Sequence, residues 1–138
     1  MAAKKASSKP TKKSSGKAKR IVMVVDDNPD LVYSVKENLE AITDYDVITA
    51  DGGKKCLEIL EKQKPNLILL DIMMPGMDGW DLCAKIKSKK ETENIPIVFL
   101  TAKTDPISKS MGRLASMDYI EKPFDPQDLK SRIERILK

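Results

Sequence analysis

The sequence contains no histidine. That removes Ser-His triads, imidazole metal ligands and imidazole pH switches from consideration. Aromatic residues are scarce, at 4% of the chain, so a core has to be built from Val, Ile, Leu and Met. There are two cysteines, Cys56 and Cys83, far apart and without C-x-x-C spacing. They read as buried thiols in a reducing cytosol, and the expected location is cytoplasmic. No apolar run approaches the ~20 residues needed to span a bilayer. The N-terminus has no apolar segment of the kind a secretory signal carries. Acidic residues are missing from one stretch only: the first 20 residues hold eight Lys/Arg and no Asp or Glu.

What remains is ordinary for a folded protein. The chain has 138 residues and is 41% hydrophobic, enough for one domain with a core of its own. The net charge of +4 conceals an asymmetry, because beyond residue 20 there are 17 basic and 21 acidic residues. A mildly acidic domain therefore follows a basic segment. Residues 1–19 are Lys, Ser and Ala with almost nothing apolar to bury, and are expected to form a disordered tail. No aromatics are interleaved there for base stacking, so a solubilising extension is preferred to a contact with nucleic acid or anionic lipid. The domain is expected over residues 20–138.

From Ile21 onward, apolar runs alternate with helical patterns. IVMVV at 21–25, LILL at 67–70 and IVFL at 97–100 are continuous and short, as in strands buried on both faces. A half-polar strand at 46–50 suits a sheet edge, and a short fifth strand lies at Tyr119-Ile120. Asn28-Pro29, Asp105-Pro106 and Asp125-Pro126 each read as a cap followed by proline in the first helical turn. The spacing predicts helices from Pro29 to Ile42, around 54–63, from Trp80 to about Ser88, from 105 to about 114, and after Asp125. The segment IMMPGMDG, with its Pro-Gly pair, is a loop. Five strands alternating with five helices predict an α/β fold. The expected architecture is a doubly wound, five-stranded parallel sheet of order 2-1-3-4-5.

In such sheets ligands bind outside the carboxyl ends of the strands. Strand one ends in Asp26-Asp27, strand three in Asp71, strand four in Thr101 and strand five near Lys122. Taken singly, each has an ordinary explanation as a helix cap, a strand residue or a surface charge. Together they set three carboxylates, a hydroxyl and an ammonium on one edge of an apolar sheet. Neighbouring carboxylates repel and raise one another's pKa, and a hard divalent cation relieves that repulsion. Mg²⁺ suits one or two carboxylates plus phosphate oxygens. A carboxylate is also a competent nucleophile toward phosphorus, with the metal, Lys122 and Thr101 available to offset charge on the phosphoryl oxygens.

The signatures VVDDNPD, LLDIMMPGMDG, FLTAK and YIEKPF, in that order, resemble the receiver domain of two-component response regulators. The resemblance covers about Arg20 to Lys138 and points to a stand-alone, CheY-like receiver or a piece of a longer protein. It implies that Asp71 is the phosphoacceptor. It further implies that Asp26 and Asp27 form the acidic pair, with Asp27 the direct Mg²⁺ ligand, and that Asp71 and the Met73 backbone carbonyl complete the protein ligands. Thr101 and Lys122 would contact the phosphoryl group, and Tyr119 matches the switch aromatic. Met73 and Lys103 fall at variable positions that tune rates. Ala115 stands where a glycine is common. The implied partners are a sensor histidine kinase or phosphotransfer protein, and a downstream target on the face of helix four, strand five and helix five, where a homodimer could also form. No nucleic-acid partner and no enzymatic turnover beyond the chain's own phosphorylation and dephosphorylation are expected. A cis Lys122-Pro123 bond is expected to aim the ammonium at the site. The competing class is a haloacid-dehalogenase-like phosphatase. That enzyme would carry D-x-D where this chain has Asp71-Ile72-Met73, and would need a cap region for which 138 residues leave no room.

Overall fold

A computed structural model describes residues 19–102 and 118–138. Its elements are β1 (Ile21–Val25), α1 (Pro29–Ile42), β2 (Asp46–Ala50), α2 (Gly53–Leu60), β3 (Leu67–Asp71), α3 (Gly79–Lys87), β4 (Ile97–Ala102), β5 (Asp118–Lys122) and α4 (Pro126–Leu137). The five strands form one sheet of order β2-β1-β3-β4-β5, and each neighbouring pair is parallel. This is the expected order. Strand β2 lies at one edge, as its half-polar pattern predicts. The helix expected at 105–114, Lys103 and Ala115 lie outside the described residues, as does the basic segment up to residue 18.

The continuous apolar strands are explained by two cores, one on each side of the sheet. Met23, Val25, Ile68, Leu70 and Phe99 face α2 and α3, packing with Cys56, Leu60, Leu82 and Ile86. The alternate residues Val22, Val24, Leu67, Leu69, Val98 and Leu100 face α1 and α4, packing with Val35, Leu39, Leu129 and Ile133. The period-two alternation thus sends successive residues of one strand into different cores. Each fully buried Leu or Ile stabilises the fold by about 1.5–3 kcal/mol relative to exposure. Both cysteines are buried free thiols, and burial pushes the Cys56 thiol up to about 12.

The helix starts follow from their caps. The Asn28 side chain accepts from the backbone N–H groups of Asp30 and Leu31, and Pro29 opens α1. Asp125 accepts from Gln127 N–H at 3.3 Å, and Pro126 opens α4. Helix α2 ends earlier than expected, at Leu60, because the Glu61 and Lys62 N–H groups bond to Glu58 and Ile59 in a tightened last turn. Strand β5 is longer than the expected two residues. Only Ile120 is buried in it, since an edge strand needs little apolar surface. Arg132 ties α4 to β5, donating to the Tyr119 carbonyl at 2.7 Å. Lys19 pairs with Asp46 at 3.0 Å, at the start of β2. Among the described residues, no helix is long and apolar enough to cross a membrane.

Candidate functional site at the carboxyl edge of the sheet

The sheet topology puts β1 and β3 side by side in the middle, and their carboxyl ends carry Asp26-Asp27 and Asp71. The register pairs Val25 with Leu70, so the acidic residues follow directly on one another across the strand boundary. One oxygen from each of Asp26, Asp27 and Asp71 lies within 4.8 Å of the others. Asp26 and Asp71 are buried, whereas Asp27 is exposed. Asp26 is already engaged twice: Oδ1 accepts from Asn28 N–H at 3.0 Å, and Oδ2 accepts from Lys122 Nζ at 3.0 Å. Among the described residues, none donates a hydrogen bond to the Asp27 carboxylate.

Lys122 crosses from the end of β5 to donate also to Asp71 Oδ1 at 3.1 Å. The Lys122-Pro123 peptide is cis, as expected. Burial pushes the Asp71 carboxyl up to about 6, Asp26 and Asp27 push in the same direction, and Lys122 offsets part of the rise. Burial works against the Lys122 ammonium, but its hydrogen bonds and charge contacts with Asp26 and Asp71 prevail and raise its pKa. The lysine therefore stays charged, and Asp71 is the carboxyl whose ionised form burial and its acidic neighbours disfavour. Three hard oxygen donors in this state are a donor set that fits Mg²⁺ or a similar small dication.

Thr101 is fully buried at the end of β4. By strand alternation it shares a face with Phe99, and Phe99 is paired with Tyr119 on β5. Thr101 and Tyr119 are thus diagonal neighbours on adjacent strands. Tyr119 is half-buried against the core shared by α2 and α3. Met73 is 45% exposed in the loop after β3. The structure thus brings together Asp26, Asp27, Asp71 and Lys122 by direct geometry. Thr101 is the penultimate residue of β4, Tyr119 lies within β5 and Met73 lies in the loop after β3.

Two local features of the site were not visible in the sequence pattern. Gly79, read only as a loop residue, is buried at the start of α3, where its N–H donates to the Ile72 carbonyl at 2.7 Å. A Cβ there would stand 2.5 Å from the Asp71 carbonyl oxygen and 2.7 Å from Ile72 Cα, so only glycine lets α3 begin this close to the Asp71 backbone. The second is Met77, which packs on Gly53. The one signal for Gly79 is the PGMDG run itself, which reads as a turn but also has to return the chain to the sheet edge; the Met77 contact has none.

The sequence matches the response regulator receiver domain family over residues 22–134, and the chain belongs to that family. It is a phosphoacceptor signalling domain of the two-component type. Among its relatives is the alkaline phosphatase synthesis transcriptional regulatory protein PhoP of Bacillus subtilis (strain 168). That protein is 40% identical over 118 residues, which cover 85% of this chain and 48% of PhoP. The chain spans about half the length of PhoP and of the ycf27 transcriptional regulators that it also matches. Among solved structures, a CheY-like receiver domain protein from Methanospirillum hungatei JF-1 superposes with a TM-score of 0.75 at 40% identity, covering 87% of this chain and 95% of that one. The receiver domain of sensor histidine kinase PA1611 from Pseudomonas aeruginosa PAO1 superposes with a TM-score of 0.77 at 26% identity, covering 87% and 98%. That structure has a magnesium ion coordinated in its active-site cleft.

Proposed function

We propose that Asp71 is the residue that accepts the phosphoryl group, from a phosphohistidine on a sensor kinase or phosphotransfer protein. The observation that carries this reading is the buried Asp71 carboxylate at the sheet edge, held by Lys122 and flanked by Asp26 and Asp27. An Asp71 carboxylate oxygen attacks phosphorus. The new O–P bond forms as the N–P bond of the donor breaks, and the electron pair leaves with the imidazole, which takes up a proton from solvent. Mg²⁺ would be held by Asp27 directly, by Asp71 and by the Met73 carbonyl, with Asp26 completing the acidic pair, and would supply positive charge that offsets the incoming phosphoryl oxygens. Lys122 Nζ has N–H donors to give to a phosphoryl oxygen, and the Thr101 hydroxyl is a further donor.

Thr101 and Tyr119 form the switch in this reading. Thr101 moves toward the phosphoryl group, and Tyr119 turns into the space behind it. A minor conformation thereby becomes the major one. The face used by a downstream target, or by a second copy of the chain, is then that of the 105–114 segment, β5 and α4. The folded unit is residues 20–138, preceded by a basic tail at 1–19, and the proposed location is the cytoplasm. The chain is modified once per cycle and is not a general hydrolase.

The test is incubation with acetyl phosphate, with Mg²⁺ or with EDTA, alongside a panel of small phosphate esters. The reading expects Mg²⁺-dependent labelling that stops near one phosphoryl group per chain, with no ester turnover. Multiple turnover on esters without a labelled protein would favour the hydrolase class instead.

A further inference from the structure

Helix α2 begins without a side-chain cap, at extended Gly52. What sits on its first residue, the buried Gly53, is the side chain of Met77. A Cβ on Gly53 would meet Met77 Sδ at 2.7 Å, Cβ at 3.2 Å and Cγ at 3.3 Å, so the thioether lies flat along the glycine backbone. Met77 also packs against the core that contains Cys56, Leu60 and Trp80.

The position of this contact matters more than its size. Gly53 follows β2, and the carbonyl of Ala50, the last residue of β2, accepts from Asp26 N–H at 3.1 Å. Met77 belongs to the loop that leaves Asp71, carries Met73 and closes where Gly79 N–H reaches the Ile72 carbonyl. The contacts therefore form a ring. It runs from Asp26 through Ala50 and Gly53 to Met77, back through the loop to Asp71, and across Lys122 to Asp26. Asp26 and Asp71 are members of this ring, Asp27 stands beside them, and the Gly53–Met77 contact is its one link made by apolar packing alone.

We propose that Met77 is a positioning residue: seated on Gly53, it fixes the β3–α3 loop and its Met73 carbonyl at the distance from Asp26 and Asp27 that cation binding requires. This rests on the Mg²⁺ site proposed above. A residue that orients ligands without touching the ion commonly changes metal affinity by about 10–100-fold when altered. Glycine at 53 is part of the device, because a Cβ there displaces the thioether from its seat.

Trp80 is the single tryptophan and opens α3 directly after Gly79, so its fluorescence reports on the loop without any phosphorylation. Mg²⁺ titrations read by Trp80 would compare wild type with Gly53→Ala, Met77→Ala, Met77→Leu and the double variant Gly53→Ala/Met77→Ala. Circular dichroism would confirm that each is folded. We expect Gly53→Ala and Met77→Ala each to weaken Mg²⁺ binding roughly tenfold. Met77→Leu should stay within about threefold of wild type, since it keeps an apolar side chain of similar volume. The double variant should bind better than the product of the single losses predicts, because the new methyl occupies the space the thioether leaves. At saturating Mg²⁺, labelling by acetyl phosphate should return to the wild-type rate, which separates lost cation binding from general damage. Wild-type affinity in Gly53→Ala and Met77→Ala would overturn the proposal. So would strictly additive losses, or a Met77→Leu variant as impaired as Met77→Ala. Asp27→Ala in parallel distinguishes the two levels. If it loses Mg²⁺ while the Gly53 and Met77 variants do not, the positioning role alone fails; if it binds as wild type, the site reading fails.

Discussion

Lys122 Nζ lies 3.1 Å from Asp71 Oδ1 although their strands, β5 and β3, are not neighbours. Strand β4 runs between them, so the lysine side chain passes over its carboxyl end. The same ammonium reaches Asp26 Oδ2 at 3.0 Å. One cation thus holds two buried carboxylates from two other strands, and a third carboxylate, Asp27, stands exposed beside them. Among the described residues, one lysine is paired with these carboxylates, and it does not neutralise three acids. This imbalance sets the behaviour expected of the metal-free protein.

Asp71→Asn should stabilise the metal-free protein at neutral pH. Burial, joined by Asp26 and Asp27, raises the Asp71 carboxyl from its ordinary 3.8 to about 6. The native state therefore holds this proton more tightly than the unfolded chain does. Stability contributed by the group is present below pH 4 and is lost as pH rises through about 6. Urea denaturation in EDTA should show the variant more stable by about 1–3 kcal/mol at pH 7, with the gap closing toward pH 4. A variant less stable than wild type at pH 7 would contradict this.

Asp27→Ala should weaken Mg²⁺ binding more than Asp26→Ala. Both oxygens of Asp26 are occupied, one by Asn28 N–H and one by Lys122, while the Asp27 carboxylate is exposed and available for a direct bond. Equilibrium titration of the two variants checks the order. The reverse order would reassign the direct ligand.

The fold was largely legible because its strands are short apolar runs bounded by polar residues, and Asn28-Pro29 and Asp125-Pro126 announce two helix starts. Strand β5 was under-read for a physical reason: an edge strand buries one side, and only Ile120 carries the apolar signal. The cap of α3 by Asp78, which accepts from Asp81 N–H at 2.9 Å, is hidden inside a run that reads as a turn. At the site, the residue types at each strand end were readable, since any doubly wound sheet gathers those ends. Their division of labour came only from the family resemblance, not from the pattern. Nothing in the pair Asp26-Asp27 says that the first is buried and the second exposed; that follows from where Lys122 and Asn28 come to rest. The Gly53–Met77 contact was equally silent, because it joins the first residue of α2 to a loop distant in sequence.

Met73→Asn should shorten the life of the phosphorylated form, and Met73→Asn/Lys103→Glu should shorten it further. Loss of the phosphoryl group needs a water in line with the Asp71 oxygen–phosphorus bond. The exposed Met73 offers an apolar stem and a weak acceptor, which would exclude that water, whereas an amide would hold and orient it. A charged lysine at 103 has donors but no acceptor for the water, and a carboxylate supplies one. Half-lives measured after removal of the phosphodonor decide the matter. Equal or longer half-lives in the variants would refute the rate-tuning role and leave the acceptor assignment intact.

The central claim is tested most directly by mapping the modified residue. The protein is phosphorylated with acetyl phosphate and Mg²⁺, the acyl phosphate is trapped by borohydride reduction, and the peptides are sequenced by mass spectrometry. The account predicts a single modified position, Asp71, and no modification of a folded Asp71→Asn variant under the same conditions. Equal modification of that variant, or reduction to the alcohol at any other residue in wild type, would contradict it.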